Sequence, residues 1–215
     1  MNEHEDARQS AQAIEQAGRR TVLILGDIRE ESHCQSLVQK AFDEFGQLDI
    51  LVNNAAYQST HESVDEFSTE EFDRAYKTNI YAMFWLCRAA VPGMKPGSCI
   101  INTASIQAFS PTPMLLPYAS TKAAIVNFTK GLSGLAMKHG IRVNAVAPGP
   151  VWTPLIPATM PDEKVQEFGK DTDFERPAQP AELAPLYVFL ASKDASYVTG
   201  ETYGATGAQR LCKRQ

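Results

Sequence analysis

A tyrosine and a lysine stand four residues apart at the start of a long apolar segment, PYASTKAAIVNFTKG, which begins at Pro117. In a helix, residues four apart share a face, so Lys122 would lie one turn from Tyr118. A phenol with its usual pKa of about 10 is a weak base at neutral pH, and a neighbouring ammonium group lowers that pKa. Ser105 precedes Tyr118 by thirteen residues, and its hydroxyl could hold a substrate oxygen beside the phenol. These side chains predict proton transfer at an alcohol or carbonyl oxygen while a hydride moves at carbon.

Alternating apolar and amphipathic segments predict the elements that would position these residues. The predicted strands are 21–27, 48–55, 98–105, 141–149 and a short last strand within 200–207. The predicted helices are 32–46, 68–93, a helix from Pro117 to about His139, a short helix near 162–168, and 181–192. Continuous apolar strands separated by helices indicate a parallel sheet that is covered on both faces. The sequence therefore predicts a doubly wound, Rossmann-like α/β fold with a single domain over 1–215.

Polar and turn-forming residues collect at the carboxyl ends of the predicted strands. They are Asp27, the run 53–56, Thr103 with Ser105, and Pro148 with Gly149. Ligands of open parallel sheets bind at this edge, so the four groups together predict a nucleotide site. Each group alone is explained equally well by a strand end, a tight turn or a helix cap. Asn79, in the middle of a predicted helix, is by itself more typical of a solvated or back-bonding residue.

Composition and charge exclude several other classes of protein. The 215 residues carry a net charge of −5 and a sequence pI near 5.4, which argues against a nucleic-acid partner or an anionic membrane surface. No segment is apolar enough to span a bilayer, and the polar, acidic N-terminus is not a signal peptide. The four cysteines, Cys34, Cys87, Cys99 and Cys212, are widely spaced. They predict reduced thiols in a cytoplasmic protein without a metal site.

Five segments carry a resemblance to a known family: DILVNNAA, KTNIY, INTAS, YASTK and RVNAVAPGPVWT. In this order and at these spacings the chain resembles the short-chain dehydrogenase/reductase family over nearly its whole length. The resemblance implies that Asn79, Ser105, Tyr118 and Lys122 form a catalytic tetrad. Tyr118 would be the acid/base and Ser105 would orient the substrate. Lys122 would lower the pKa of the tyrosine and bind the nicotinamide ribose, and Asn79 would support a water-linked proton relay.

The same resemblance implies the position of a nicotinamide dinucleotide. Asp27 would lie near the adenine, Asn53 and Ala55 beside the adenosine ribose, and 148–153 along the nicotinamide. The implied cofactor-binding residues are Asp27, Ile28, Asn53, Ala55, Thr103, Tyr118, Lys122, Pro148, Gly149, Val151 and Thr153. Segments 148–169 and 176–192 look like one branch of the family, which holds bacterial general-stress-type oxidoreductases and plant glucose-and-ribitol dehydrogenase homologues. That branch favours NADP(H) over NAD(H).

The sequence and the family resemblance also indicate a class of substrate and the partners. Segment 150–180 has no charged cluster suited to an acid or a phosphate, so the expected substrate is a small neutral carbonyl compound or polyol. Family helices equivalent to 69–90 and 118–139 pack subunits together. The resemblance therefore implies a homo-oligomer, either a tetramer or a dimer, with no nucleic-acid or membrane partner.

The glycine-rich TGxxxGxG turn that holds the cofactor pyrophosphate in the family does not occur in this sequence, nor does the βαβ unit around it. Without those strands, 21–27 is expected to lack a sheet partner and 48–53 to form an open apolar edge. We therefore expect poor dinucleotide binding from a chain that starts at Met1, or a native protein that starts further upstream. Two other classes stay open. One is a truncated, non-catalytic pseudo-dehydrogenase that acts through subunit association. The other is a flavodoxin-like binding domain, which would not need the serine, tyrosine and lysine.

Overall fold

The computed structural model describes residues 3–208. Its strands are β1 (Ile50–Asn53), β2 (Cys99–Thr103), β3 (Arg142–Pro148) and β4 (Thr202–Ala205). Its helices are α1 (Glu3–Gln16), α2 (Glu31–Phe45), α3 (Thr69–Tyr76), α4 (Ala82–Ala90), α5 (Leu116–Ala136), α6 (Leu155–Thr159), α7 (Asp162–Glu167) and α8 (Pro180–Ala191). The strands form one parallel sheet in the order β1-β2-β3-β4. The predicted α/β architecture is confirmed.

The central strands β2 and β3 form the core of the sheet, and nearly all of their residues are buried. One face packs on α2, α4 and α5 through a cluster that includes Val38, Met83 and Ile125. The other face packs on α8 through a smaller cluster that includes Ile101 and Leu190. Burial on both faces explains why these strands are continuously apolar rather than alternating.

Residues 21–27, which the sequence predicts to be the first strand, do not form a strand. Within residues 3–208, none of the four strands pairs with this segment, and its Leu23 and Leu25 are 45% and 63% exposed. An apolar segment becomes a strand only when a neighbour accepts its backbone hydrogen bonds, so the strand prediction is wrong. β1 is an edge strand, and Ile50 and Val52 are each 45% exposed. The predicted open apolar edge is therefore present.

The segment predicted as one helix over 68–93 is divided into three pieces. The predicted capping box is confirmed, because Glu71 N donates to Ser68 Oγ at 3.1 Å and Ser68 N donates to Glu71 Oε2 at 3.2 Å. After α3 the helix widens into a π turn at Lys77–Tyr81 and then continues as α4. Such turns often occur at functional sites, and this turn carries Asn79.

Helix α5 begins and ends as its sequence predicts. Pro117 lies in its first turn, where a missing backbone N–H removes no hydrogen bond. A 3-10 turn over Met137–His139 follows the helix, and Gly140 then ends it with a φ of 69°. Tyr118 and Lys122 therefore occupy the first two turns of α5, at the carboxyl edge of the sheet.

Segment 149–180 is a long connection whose two ends are hydrogen-bonded to each other. Trp152 N donates to Ala178 O at 2.8 Å, and Ala178 N donates to Pro150 O at 2.9 Å. Two short helices lie between these contacts. The predicted helix near 162–168 is confirmed as α7, whereas α6 was not predicted.

A buried arginine joins β3 to the end of α8. Arg142 donates to Leu190 O at 2.9 Å and to Ser192 O at 3.3 Å, and only 8% of the residue is exposed. These carbonyls lie at the end of α8, where the helix leaves them without partners of its own. The guanidinium thereby anchors α8 against the second face of the sheet.

Two further features of the described residues are the state of the cysteines and the apolar character of the helices. Cys34, Cys87 and Cys99 are free and buried, whereas Cys212 lies outside the described residues. No helix in the described range combines the length and the apolar character that crossing a bilayer requires.

Candidate active site

The structure brings the predicted serine, tyrosine and lysine together at the carboxyl end of β2. Ser105 follows β2 directly, where its Oγ accepts a hydrogen bond from Gln107 N at 3.2 Å. The Ser105 hydroxyl also hydrogen-bonds to the phenol of Tyr118, which lowers the pKa of the phenol. The ammonium nitrogen of Lys122 lies 5.2 Å from the centroid of the Tyr118 ring. The end of a strand and the start of α5 therefore bring the two hydroxyls together and place the amine beside the Tyr118 ring.

Lys122 is buried although it carries an amine. It is 2% exposed, and its Nζ donates to Thr103 O at 2.7 Å. Removal from water disfavours the charged form, and this burial lowers the pKa of Lys122 to about 7. Near neutral pH the amine is thus poised between its charged and neutral forms. An ammonium group has three N–H donors, and Thr103 O takes one of them.

The pKa of Tyr118 departs from the direction that the sequence suggests. The spacing of Tyr118 and Lys122 predicts a lowered pKa, but burial of the phenol raises its pKa to about 12, against the smaller opposing effect of Ser105. Tyr118 is accordingly a neutral phenol at physiological pH, which is the form that donates a proton.

Asn79 is a structural link between two parts of the site. Its Oδ1 accepts from Tyr57 N at 2.8 Å, and its Nδ2 donates to Tyr57 O at 3.0 Å and to Thr121 Oγ1 at 2.9 Å. The side chain is buried, so its amide holds the loop after β1 against the helix that carries Lys122. This observation identifies Asn79 as a positioning residue, and its part in a proton relay stays a prediction.

At the end of β1, Asn53 makes contacts that bridge two elements. Its Nδ2 donates to Asn102 Oδ1 at 2.8 Å and contacts Cys87 Sγ at 3.4 Å. Its Oδ1 is buried, and within residues 3–208 it has no hydrogen-bond partner. Two residues further, Ala55 is exposed in the loop that follows β1. An orphaned buried acceptor at this edge suits a ligand that carries a hydroxyl or amide donor.

Thr103 connects β2 to α8 across the end of the sheet. Its hydroxyl donates to Asn54 Oδ1 at 3.0 Å and lies 2.8 Å from the Tyr187 hydroxyl. Its carbonyl holds Lys122. The sequence names Thr103 as a cofactor-binding residue but gives no sign of Tyr187, which lies 84 residues away.

The turn after β3 needs a glycine. Gly149 N donates to Ala205 O at 2.9 Å, and a Cβ on Gly149 would lie 2.7 Å from Thr206 Cα. Pro148 ends β3, and Val151 forms a parallel bridge with Ala178. Thr153 O accepts from Ile156 N at 3.1 Å, which starts α6. The predicted residues of this turn therefore lie close together after the carboxyl end of β3, and their contact with a nicotinamide stays a prediction.

Asp27 and Ile28 lie in the turn before α2 and not at the end of a strand. The Asp27 carboxylate accepts hydrogen bonds from the Arg29 side chain at 2.9 and 3.0 Å. The Arg29 side chain, followed by the Arg29 backbone N–H, lowers the pKa of Asp27 to about 2. Ile28 O accepts from Cys34 Sγ at 3.1 Å. The carboxylate is bound to its own neighbour, so an adenosine contact there stays a prediction.

A nicotinamide dinucleotide fits one half of this edge by its donors and acceptors. The spare N–H groups of Lys122 suit hydroxyls of the nicotinamide ribose, whereas the unpartnered Asn53 Oδ1 suits a hydroxyl of the adenosine ribose. The hydrogen-bonded Tyr118 and Ser105 hydroxyls suit a carbonyl oxygen as a shared acceptor. Asp27, on the adenine side, is engaged by Arg29. The described residues therefore fit the nicotinamide half of the cofactor.

Comparisons with known proteins agree with this geometry. A family model described as enoyl-(acyl carrier protein) reductase matches residues 1–207. General stress protein 39 of Bacillus subtilis is 49% identical over 206 residues, which are 96% of this chain and 72% of that protein. Glucose and ribitol dehydrogenase of Daucus carota is 42% identical over 210 residues, again 96% of this chain and 72% of that protein.

A solved structure with a bound substrate is also similar. L-Sorbose reductase from Gluconobacter frateurii, in complex with NADPH and L-sorbose, superposes with a TM-score of 0.85 at 32% identity. The superposition covers 97% of this chain and 83% of that chain. The two relatives above are the kinds of protein that the sequence resemblance names.

Proposed function

Because the chain belongs to the short-chain dehydrogenase/reductase family of oxidoreductases, we propose that it interconverts a neutral aldehyde or ketone and the corresponding alcohol or sugar alcohol, with NADP(H) as the hydride carrier. The observation that carries this proposal is the neutral Tyr118 phenol, hydrogen-bonded to Ser105 and backed by the buried Lys122. A flavodoxin-like binding domain would not need this arrangement.

The residues of the site perform the proton side of the reaction. When bound, the nicotinamide supplies the hydride that reaches the carbonyl carbon. The Tyr118 hydroxyl donates its proton to the carbonyl oxygen, and Ser105 donates a hydrogen bond to the same oxygen as negative charge develops there. The Lys122 ammonium stabilises the phenolate that remains, until a proton from solvent restores the phenol. One hydride and one proton thus convert a carbonyl group to an alcohol.

The pKa of Tyr118 favours reduction near neutral pH. A phenol with a pKa of about 12 is almost entirely protonated there, so the acid needed for reduction is the resting form. Alcohol oxidation needs the phenolate as base, and the phenolate fraction increases with pH. We therefore propose reduction as the direction that this site performs most readily at neutral pH.

A neutral substrate is favoured by the lack of charged side chains in the first helix after β3. Helix α6, with the sequence LIPAT, brings no charged side chain, and its Ile156 is buried. A site that selected an acid or phosphate would need a cationic partner there. NADP(H) is favoured over NAD(H) by the similarity to a reductase in complex with NADPH.

A homo-oligomer, either a tetramer or a dimer, is the partner that the surface favours. Tyr81 and Phe84 are 46% and 41% exposed at the π turn and on α4, and Leu135 is 62% exposed on α5. Such apolar helix faces commonly mark protein interfaces. We also propose a cytoplasmic location, because the three described cysteines are free thiols.

A second candidate function is non-catalytic association with other subunits. It is favoured by the open apolar edge at β1 and by the unpaired segment 21–27. In that case the chain would carry the four catalytic residues but would not bind a dinucleotide. Nucleotide affinity separates the two candidates.

The test combines binding with turnover. NADPH and NADH titrations of the purified chain, followed by nucleotide fluorescence, measure affinity. Consumption of NADPH with 4-nitrobenzaldehyde, and with the charged analogue 4-carboxybenzaldehyde, then measures turnover. The proposal expects saturable but weak NADPH binding, because the sequence carries no TGxxxGxG turn to hold the pyrophosphate, and faster reduction of the neutral aldehyde. Failure to bind either nucleotide would support the second candidate, and a preference for the carboxylate would contradict the neutral substrate.

A further inference from the structure

A histidine in the loop after β1 lies between two carboxylates, and each carboxylate begins a helical segment. The Nε2 of His61 lies 3.0 Å from Glu71 Oε1, and its Nδ1 lies 4.0 Å from Glu66 Oε2. Glu71 closes the capping box of α3, and Glu66 closes the capping box of the 3-10 turn Val64–Glu66. His61, Glu66 and Glu71 are called the histidine cluster below. One imidazole therefore connects the starts of two successive helical elements.

The groups that face this imidazole carry negative charge or none. Glu66 lies on the 3-10 turn and Glu71 lies on α3. On the loop itself, Glu62 is exposed and donates its backbone N–H to Glu66 Oε2 at 3.0 Å. The Phe67 ring contacts the imidazole edge-on, with ring centroids 4.7 Å apart. Segment 113–115, which binds the backbone of the histidine, has the uncharged sequence PML. A positive charge on the ring is therefore attracted from two sides.

The two carboxylates bind the ring unequally when it is neutral. A neutral imidazole carries one N–H, and the 3.0 Å contact assigns that hydrogen to Nε2, which donates it to Glu71. This hydrogen bond is the largest cause that lowers the pKa of Glu71. Nδ1 then presents a lone pair towards Glu66 across 4.0 Å, which is too long for a hydrogen bond. A second proton, on Nδ1, makes this nitrogen a charged donor. Only the protonated ring therefore binds both carboxylates.

The loop that carries the histidine is fastened on both sides of Tyr118. His61 N donates to Met114 O at 3.2 Å, and Met114 precedes Tyr118 in the turn that leads into α5. At the other end of the loop, Asn79 binds both backbone groups of Tyr57. The same amide donates to α5 in the turn that follows Tyr118. A change in the hold on this loop therefore acts on the start of the helix that carries the catalytic phenol.

The other attachments of the loop do not respond to pH. Gln58 Nε2 donates to Thr159 Oγ1 at 2.6 Å, and Gln58 is 4% exposed. Amide, hydroxyl and backbone groups keep their charge throughout the neutral range, and this includes the amide of Asn79. Among these attachments, the histidine cluster is therefore the one that titrates.

We propose that His61 is a pH-sensitive positioning residue, whose protonated ring binds Glu66 and Glu71 together and thereby fixes the loop 57–67 against the start of α5. Loss of the proton to solvent frees Glu66 and loosens the loop beside Tyr118. Histidine is the side chain that ordinarily changes its charge between about pH 5 and about pH 8. The loop is therefore held most firmly at the acidic end of this range, and the hold weakens as the pH rises. The effect on turnover rests on the proposed function, because it acts through Tyr118.

The alternative is that the neutral ring is sufficient. The hydrogen bond to Glu71 and the backbone contact with Met114 would then hold the loop equally well at every pH. Under this explanation, neither the mobility of the loop nor turnover depends on the charge of His61.

The first test is amide hydrogen exchange in a peptide that covers 57–67, corrected for the intrinsic pH dependence of exchange. We expect the wild type to exchange about threefold faster at about pH 8 than at about pH 6, since a partly exposed ion pair shifts an equilibrium by less than tenfold. His61→Gln keeps a donor for Glu71 but does not titrate. Glu66→Gln keeps the capping acceptor but removes the charge. Both variants should lose the difference between the two pH values.

The matched control is His139→Gln, because His139 is exposed in the 3-10 turn after α5. This variant should keep the difference seen in the wild type. Equal corrected exchange of the wild type at the two pH values would overturn the proposal. An undiminished difference in His61→Gln or in Glu66→Gln would overturn it as well.

The second test follows aldehyde reduction by NADPH. From about pH 6 to about pH 8, kcat/KM of the wild type should fall about threefold relative to that of His61→Gln. The comparison at each pH cancels the titration of Lys122, whose pKa of about 7 is common to both proteins. A constant ratio would overturn the positioning role of His61. If the wild type reduces no aldehyde, the proposed function fails, and the exchange experiment still decides whether the histidine cluster holds the loop.

Discussion

Replacement of Lys122 by methionine should change how the stability of the protein depends on pH. Lys122 is the largest of the fully buried side chains, and burial lowers its pKa from 10.5 to about 7. Between these two values the unfolded chain binds a proton that the folded chain does not bind. The free energy of unfolding of the wild type therefore rises with pH in this window. The Lys122→Met variant lacks this contribution.

The size of this stability difference follows from the pKa shift of Lys122. The free energy of unfolding of the wild type should gain about 1.4 kcal/mol per pH unit relative to the variant, and below pH 7 the buried charge should cost the wild type about 5 kcal/mol. The variant leaves Thr103 O without its donor, at a cost of about 1–3 kcal/mol that does not vary with pH. Taken together, Lys122→Met should be the more stable protein at neutral pH, and the two stability curves should cross near about pH 9.

Urea unfolding followed by circular dichroism measures this difference. From about pH 7.5 to about pH 9.5, the wild type should gain about 3 kcal/mol relative to Lys122→Met. The control is Lys130→Met, because Lys130 is exposed on the same helix and its charge is hydrated in both states. Parallel curves for the wild type and Lys122→Met would show that the amine is not desolvated in the folded protein.

Three further predictions concern other parts of the molecule. Arg142→Met should lower the free energy of unfolding by about 3 kcal/mol in urea titrations, because the carbonyls at the end of α8 lose their donor; an unchanged midpoint would contradict this. A Cβ on Gly131 meets open space within one chain, so Gly131→Ala should stabilise α5 by about 1 kcal/mol. If the variant instead sediments as smaller species than the wild type, Gly131 lies in a subunit interface. The rate of alcohol oxidation should rise about tenfold per pH unit up to the Tyr118 pKa of about 12, and a plateau near neutral pH would show that Tyr118 is not the base.

Local signals made much of the fold predictable. The continuous apolar strands β2 and β3 and the capping box at Ser68 agree with the sequence because each depends on neighbouring residues. The strand predicted over 21–27 is absent because a strand also needs a partner, which an apolar pattern does not supply. Helix α6 was missed because five residues with an internal proline, LIPAT, give no helical period.

The sequence predicted which residues meet in the site, but it did not predict how burial shifts their pKa values. Four-residue spacing places Tyr118 and Lys122 together, as the structure confirms. Spacing does not reveal desolvation, so the direction of the Tyr118 pKa was wrong. The contact of Gln58 with Thr159 joins residues 101 positions apart, and without the folded chain no short motif points to it.

Replacement of Tyr118 by phenylalanine tests whether its phenol supplies the proton for carbonyl reduction. The measurement is kcat for aldehyde reduction by NADPH, in the wild type, in Tyr118→Phe and in Tyr197→Phe, whose side chain is fully exposed. We expect Tyr118→Phe to lose about 100-fold to 10,000-fold in kcat, because no other group replaces its proton, while Tyr197→Phe is unchanged. A Tyr118→Phe variant that turns over at the wild-type rate would show that Tyr118 is not the proton donor.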